Sequence, residues 1–485
     1  MQMDIQNLEP KAVWNYFSKL NAVPRPSKKE ERVIAFMMDF GSSLGLETSK
    51  DRVGNVIIRK PATAGMEDRK TVVLQSHLDM VHQKNNDTVF NFDEQGIEMY
   101  VDGDWVKARG TTLGADNGMG VAAIMAILAG DEIPHPPLEA LFTIDEETGM
   151  TGAKGLEGGL LKGSILLNLD TEEDDEIDIG CAGGVDITAT GNYIETDLPS
   201  GAKGYQLLVN GLQGGHSGMD IHRGFGNANK IMNRLLFAAA DKGSIHLCEI
   251  DGGGLRNAIP RESVARFAIT GSEEKVLAGI QEMIENIKLE LRITEPRLNI
   301  SLSAQDLPSK CMGNDAQGKL LRAVQGVHNG VFAMSTSIKD LVETSNNLAR
   351  VEVGKGKIKI SCLTRSSVES GKLNLASSLS SVLELAGYEV NLSGDYPGWT
   401  PDPDSEILKV LVQQYKELFQ ESPNVLACHA GLECGILGSH YPQMDMISFG
   451  PNIKGAHSPD ERVQISSVQK FWKFLKTILS EIPKA

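Results

Sequence analysis

Thr71 to Asp79, TVVLQSHLD, is a short apolar run of strand character that ends abruptly in His77, Leu78 and Asp79. Side chains alternate along a strand, so His77 and Asp79 share a face. A carboxylate two residues on can fix the imidazole tautomer while the other ring nitrogen binds a metal ion. Alone, an H-x-D describes a hydrogen-bonded strand-end histidine equally well. Four further segments change the weighing. In GTTLGADNGMGVAAIMAILAG, Gly110 to Gly130, Asp116 lies in a Gly-rich turn ahead of an apolar helix beginning near Gly118, a place where an Asp can also serve as an N-cap. LEALFTIDEETG is a strand from Leu138 to about Ile144 that runs into Asp145, Glu146 and Glu147, adjacent carboxylates that repel unless cations offset them. SILLNLD is a buried strand closing on Asp170, and GAHSPDER places His457 in a Gly/Pro loop near the C-terminus. Two histidines and several carboxylates at strand ends, spread over five segments, compose a binuclear hydrolytic site of the kind zinc or manganese occupies.

HLDMV, GADNG, DEETG, NLD and HSPDER, in this order and at these spacings, resemble the di-metal aminoacylase and carboxypeptidase family of metallopeptidases, and the resemblance covers essentially the whole chain. It implies two divalent ions per chain, Zn2+ first, with Mn2+ or Co2+ as alternatives. It further implies Asp116 as the carboxylate bridging them, with His77 and Asp170 completing one site and Glu147 and His457 the other. Carboxylates can bridge two cations, and neutral imidazoles limit the charge of the cage. Glu172 and Glu173 fall outside this set. Glu146 is the expected general base: next to the ligand Glu147, it can reach a water held between the metals without itself being a ligand. Asp79 is the expected clamp on His77. The resemblance also implies a cis peptide between Asp116 and Asn117.

Further along, VNGLQGGHSGMDIH carries His216 and His222, and GGGLRNAIP carries Asn257. Both segments resemble the family's lid elements that hydrogen-bond the tetrahedral oxyanion or the substrate, with His216 the better match. Arg365 ends the strand KIKISCLTR and matches a lid arginine that holds the substrate's terminal carboxylate, a task suited to a planar guanidinium; a surface arginine is the alternative. His429 and Glu433 in CHAGLECG are expected to face the same cleft, where an acidic group would receive a substrate ammonium. His82, His135, His246, His328 and His440 show no metal-like spacing.

The elements that must position these groups read as follows. Lys11 to Lys19 and Glu30 to Leu44 are amphipathic helices; Val53 to Arg59 and Thr71 to Ser76 are strands; the helix after Gly118 and strands at Leu138 and Ser164 follow. Helices alternating with apolar strands predict a parallel sheet covered on both faces, with ligands gathered outside the C-terminal strand ends. The run DTEEDDEID, Asp170 to Asp178, reads as a solvated loop after its first residue. From Tyr205 a new set of strands runs to about Gly394, and the Pro-rich GDYPGWTPDPDS marks the return. The expected architecture is therefore α/β: a mostly parallel-sheet di-metal hydrolase catalytic domain, residues 1–186 and 398–485, with an inserted α+β lid, residues 187–397. The lid looks internally duplicated, because GGLRNAIP, SVARFAIT and SEEKVLAGIQEMIENI are echoed by SNNLARVEV, KIKISCLTR and SGKLNLASSLSSVLELAG. That alignment sets Asn257 against Asn346 or Asn347. A doubled lid is expected to bring His216 and Arg365 together within one polypeptide.

Lys plus Arg total 47 against 64 Asp plus Glu, a net charge of −17 that opposes binding to nucleic acid or anionic membrane. The longest apolar run, Val121 to Ala129, falls far short of the ~20 residues of a membrane span, and the N-terminus lacks an export signal. Six cysteines without a C-x-x-C pair fit reduced thiols in a cytoplasmic protein. The function these features predict is hydrolysis of small peptides, dipeptides with a preference for Xaa-His and carnosine-like substrates, with a homodimer left open. An N-acyl amino acid deacylase on the same scaffold shares all the metal chemistry, and a binding protein without turnover is disfavoured by the intact ligand set and base.

Overall fold

Val72–His77 is buried at every position and forms the strand its apolar run predicts, in the middle of an eight-stranded sheet. The computed structural model describes residues 5–306 and 309–485. These divide into two compact units, one comprising 1–180, 401–427 and 432–485 and the other 181–400 and 428–431. The inserted segment thus runs from Cys181 to Thr400 where the sequence suggested 187–397, because Gly183–Asn192 already pairs over its whole length with Lys357–Ser366.

In spatial order the sheet of the first unit is Glu47–Lys50, Val56–Lys60, Leu138–Thr143, Val72–His77, Ile165–Asn168, Asp445–Ser448, Glu176–Cys181 and Asn424–Cys428. The expected parallel pairing is found in the four central strands, from Leu138–Thr143 to Asp445–Ser448. The flanking pairs on either side are antiparallel. Central parallel strands are covered on both faces, which is why they read as unbroken apolar runs. Helix Ala115–Ala129 is buried nearly all round, and its first residues, Asp116 and Asn117, lie outside helical geometry, so regular helix begins at Gly118 as the sequence indicates. Trp14 and Phe17 of the amphipathic helix Lys11–Asn21 share a core with Met119, Ala122 and Ala126 of that buried helix.

Two local elements escaped sequence reading. The hairpin Met99–Asp102 and Trp105–Ala108 pairs with Arg462–Gln464, bringing the chain after His457 beside the Asp116 turn. The acidic run is a strand from Glu176, not a loop to its end: Asp178 is buried and accepts a 2.9 Å hydrogen bond from Thr171 Oγ1.

The second unit is built on a sheet ordered Asn299–Ala304, Lys203–Asn210, Ser263–Thr270, Ser244–Gly253, Val342–Gly354, Lys357–Ser366, Gly183–Asn192 and Glu389–Tyr396. Two copies of strand, helix, strand, strand, helix, strand account for it. One is Lys203–Asn210, Ala228–Lys242, Ser244–Gly253, Ser263–Thr270, Glu273–Leu291 and Asn299–Ala304. Its counterpart is Gly183–Asn192, Asn314–Gly326, Val342–Gly354, Lys357–Ser366, Glu369–Leu385 and Glu389–Tyr396. Their spatial orders mirror each other about the antiparallel seam between Ser244–Gly253 and Val342–Gly354. Both copies contribute to one apolar core, through Leu235 and Ile280 from the first and Leu320 and Leu379 from the second. The expected correspondence of Asn257 with Asn346 or Asn347 is not met: Asn257 lies in the loop after a strand that ends at Gly253, whereas Asn346 and Asn347 are buried within Val342–Gly354.

Burial pushes the Asp178 carboxyl up to about 6 from its ordinary 3.8, against the opposing pull of the Thr171 hydrogen bond. A raised folded-state value means the folded chain binds this proton more tightly. The contribution is full at pH values below the unfolded value and is lost as pH rises through the folded one. Asp178→Asn is therefore expected to stabilise the metal-free protein more at pH 8 than at pH 4, by up to roughly 3 kcal/mol, read as the difference in thermal unfolding between the two conditions.

Candidate metal centre

His77 is the last residue of its strand, Glu146 and Glu147 follow strand Leu138–Thr143, and Asp170 follows strand Ile165–Asn168. These three strands are neighbours and parallel, so their C-terminal ends deliver the side chains to one place, as open α/β sheets do. Asp116 arrives from the turn ahead of the buried helix, and His457 from the loop between Ile453–Lys454 and Arg462–Gln464. All belong to the first unit.

The geometry resolves into two triads sharing Asp116. His77 Nε2 stands 3.2 Å from Asp116 Oδ1 and 3.6 Å from Asp170 Oδ1. His457 Nε2 stands 3.2 Å from Asp116 Oδ2 and 3.0 Å from Glu147 Oε2. Each oxygen of Asp116 thus faces a different histidine. Asn117 Nδ2 donates to Asp170 Oδ1 and, at 2.9 Å, to the Leu169 carbonyl, and the peptide between Asp116 and Asn117 is cis. Glu146 groups with His77 and Glu147 but belongs to neither triad.

Asp79, fully buried, lies behind these groups. One oxygen sits 3.4 Å from His77 Nδ1, and the carboxylate accepts the backbone N–H groups of Glu146 at 3.0 Å and Glu147 at 3.3 Å. One side chain therefore orients an imidazole and fixes the backbone of two glutamates, a role only partly visible in its two-residue spacing from His77.

Buried groups crowded this closely shift one another's pKa values. Burial alone would lower the His77 pKa, but Asp170, Asp116 and Asp79 carry it well above the usual imidazole value. Hydrogen bonds to Asp116 and Glu147 raise His457 to about 11. Asp170 is raised by burial and by Asp116, and Glu146 by burial and by Asp170, Glu433 and Glu147, in both cases despite His77. Burial would raise Asp116 as well, yet the two histidines hold it below the usual carboxylate value. Glu147 Oε1 is buried with no hydrogen-bond partner among the described residues. Imidazole and carboxylate donors in two sets joined by one carboxylate, together with a buried orphan oxygen, fit a pair of divalent cations.

The second unit gathers a different set. His216 Nδ1 accepts the N–H groups of Gly218 at 3.2 Å and Met219 at 3.1 Å. Burial and the Arg365 charge lower its pKa to about 4, so the ring is neutral, its proton sits on Nε2, and Nε2–H is a donor. Arg365 Nη1 donates to the Tyr396 hydroxyl at 2.8 Å, while Nη2 lies 3.5 Å from His216. His216 and Arg365, one from each copy of the duplicated unit, thus meet in one polypeptide. His429 lies with them, bonded to Ser345 Oγ at 2.8 Å, its pKa lowered to about 3 by burial and by Arg365 and His216. His222 and Asn257 are exposed, and the Asn257 carbonyl accepts the Ser217 N–H at 2.7 Å.

Glu433 and His429, which the sequence suggested would face one cleft, fall in different units. Glu433 belongs to the first unit and His429 to the second, and the two share no hydrogen-bond partner among the described residues. Glu433 is fully buried, with Oε2 accepting from Gln75 at 2.7 Å and Thr143 at 2.6 Å, and burial raises its pKa to about 7. Its other oxygen, Oε1, is buried with no hydrogen-bond partner among the described residues. Sequence reading missed Arg25, Asn21, Ser217, Ser345, Tyr396 and Glu461, and apart from Glu461 none stands in a pattern that marks its role. Glu461 alone carried a signal, as the glutamate of HSPDER.

Residues 73–222 and 255–481 match the model of peptidase family M20/M25/M40, and residues 200–291 match a peptidase dimerisation domain. The chain is 44% identical over 481 residues to the cytosol non-specific dipeptidase of Escherichia coli, covering 99% of each. It superimposes on the crystal structure of an aminoacylhistidine dipeptidase from Vibrio alginolyticus with a TM-score of 0.95 at 44% identity, over 100% of this chain and 99% of that one. The aminopeptidase PepT of Bacillus cereus, at 15% identity and a TM-score of 0.58 over 98% of this chain and 99% of that one, shares the fold. No helix among the described residues is long and apolar enough to cross a membrane.

If the two triads hold the cations, Asp116→Ala should reduce metal content at both sites, and His457→Ala at one, as measured by elemental analysis of the purified variants. Two ions per chain retained in both variants would refute the ligand set.

Proposed function

The chain belongs to peptidase family M20/M25/M40, and on that premise we propose that it is a metal-dependent dipeptidase that cleaves small peptides with a preference for Xaa-His, carnosine-like substrates included. The observation that carries this reading is the pair of triads joined at Asp116 with Glu146 beside them. The names of the two relatives at 44% identity support the substrate class. Two divalent ions, Zn2+ with Mn2+ or Co2+ as alternatives, would be held by His77, Asp116 and Asp170 and by Asp116, Glu147 and His457. When bound, such ions lower the pKa of a water toward ~7 and polarise the scissile carbonyl.

The chain's own residues do the rest. Glu146 takes the proton from the attacking water and delivers it to the leaving amine. Its position outside both triads leaves its carboxylate free for that transfer. Asp79 keeps His77 in one orientation and holds the backbone of Glu146, so the base starts from a fixed place. His216, with Nδ1 occupied by backbone donors, presents Nε2–H to a developing oxyanion. Arg365 holds the terminal carboxylate, its guanidinium braced by the Tyr396 hydroxyl. Asn257, His222 and His429 complete the proposed substrate contacts. The similarity to a cytosol dipeptidase supports a cytoplasmic location, and the dimerisation-domain match supports a homodimer.

Assays of the metal-reconstituted protein on Ala-His, carnosine, Ala-Ala and an N-acetyl amino acid test the reading. Turnover of the last alone would replace the dipeptidase with a deacylase. Glu146→Ala should keep its metals and lose ~10²-fold or more in kcat; near-normal kcat with both ions bound would remove Glu146 as the base. Arg365→Ala should weaken kcat/KM on dipeptides far more than on the matching C-terminal amides, and equal losses on the two would show that Arg365 does not bind the carboxylate.

A further inference from the structure

Four consecutive backbone N–H groups, those of Leu113, Gly114, Ala115 and Asp116, all donate to the carboxylate of Glu461. Oε2 takes the first two at 2.7 and 2.9 Å and Oε1 the next two at 2.7 and 3.2 Å. The same short segment is gripped by its carbonyls. Asn21 Nδ2 donates to the Leu113 carbonyl at 2.9 Å and Arg25 Nη2 to that of Gly114 at 2.6 Å. Glu461, Arg25 and Asn21 are 2%, 1% and 1% exposed, so these bonds are closed to water. A turn with no strand ladder of its own has six backbone groups satisfied by three buried side chains.

We propose that Glu461 is the positioning residue that sets Asp116 between the two metal sites, working against Arg25 across the turn. The inference rests on Asp116 being the ligand the two sites share. Arg25 Nη1 also donates to the carbonyls of Leu78 and Asp79 at 3.1 Å each, immediately after His77. Glu461 itself lies four residues beyond His457 and is joined to it through the turn bonded from Glu461 N–H to the Ser458 carbonyl. One buried hydrogen-bonded cluster therefore ties together the three segments that bear His77, Asp116 and His457. The turn cannot back away from this grip. Gly114 has φ +69°, and a Cβ there would fall 2.5 Å from Arg25 Nη2 and 2.8 Å from Met80 Sδ.

A carboxylate is a poor choice for stability at this place, since it adds negative charge beside Asp116. Its merit is geometric. Only an acceptor with two equivalent oxygens satisfies four successive N–H groups, and an amide would turn an N–H2 toward two of them. The bonds fix the Asp116 backbone so that its two oxygens meet His77 and His457, each at 3.2 Å, rather than turning toward one site.

The test is Glu461→Gln, read by zinc competition against a chromophoric chelator and by thermal unfolding of the metal-free protein. Both equivalents of zinc should weaken together, by roughly 10–100-fold, the usual effect of removing a group that orients a ligand. Unchanged zinc affinity with a lowered unfolding temperature would mean that Glu461 only stabilises the fold and would overturn the inference. So would a loss confined to one equivalent, which would place its effect on the His457 loop. Should the glutamine variant not fold, Glu461→Asp keeps the charge, falls short of all four N–H groups, and is judged by the same two readouts. A wild-type chain that takes up no zinc sinks the metal reading and this inference with it. Two tightly held ions in wild type, with unaltered affinity in the variant, sink the inference alone.

Discussion

Negative charge crowded at the ends of parallel strands is the constraint on which the first unit depends. Asp79, Asp116, Glu146, Glu147 and Asp170 converge there, Glu433 and Glu461 are buried behind them, and the guanidinium of Arg25 is enclosed among them. Each carboxyl group removed from water must find a cation, a proton or several N–H donors. Asp79 and Glu461 are satisfied by backbone N–H groups and Asp116 by two imidazoles, while burial and neighbouring carboxylates push the pKa values of Glu146 and Asp170 upward. The same facts support the proposed pair of divalent ions, which would answer at once a charge that N–H groups and imidazoles answer piecemeal.

Much of this was legible in the sequence because the ligands sit where periodicity breaks. An apolar strand that ends in His-x-Asp, Asp-Glu-Glu or Asn-Leu-Asp announces both its direction and its cargo, and three such strands in one chain restrict the arrangement to a parallel core. Glu433 shows what was not legible. CHAGLECG has no periodicity to distinguish a residue facing a cleft from one facing the sheet, and only the tertiary packing of Gln75 and Thr143 decides it. Arg25 and Asn21 were silent for a different reason. They act on backbone groups of a segment some ninety positions away in sequence, and backbone amides carry no residue identity for a sequence to advertise. The Asp178 strand was misread because acidic residues dominate its composition, whereas pairing at the edge of the parallel core and the Thr171 hydroxyl accommodate the one that turns inward.

The second unit illustrates division of labour between copies. Equivalent strands and helices recur, but His216 stands before the first copy's helix and Arg365 at the end of a strand in the second, and the two meet across 3.5 Å. Two copies bound into one sheet need not carry the same side chains, so one can retain a neutral donor and the other a permanent cation. Tyr396 and Ser217, which brace Arg365, likewise come from opposite copies.

The interleaving of those copies also bears on how the chain is assembled. Gly183–Asn192, the first strand of the second copy, is made before any of the first copy, yet its partners Lys357–Ser366 and Glu389–Tyr396 lie beyond the whole of it. The first copy closes on pairings among its own neighbouring strands. On a ribosome it can be complete while Gly183–Asn192 still waits with both edges open, and non-local pairings of that span close slowly. The first copy's strand ladder is therefore complete in the sequence before the partners of Gly183–Asn192 are made, and the seam at Val342–Gly354 is where the late half joins it.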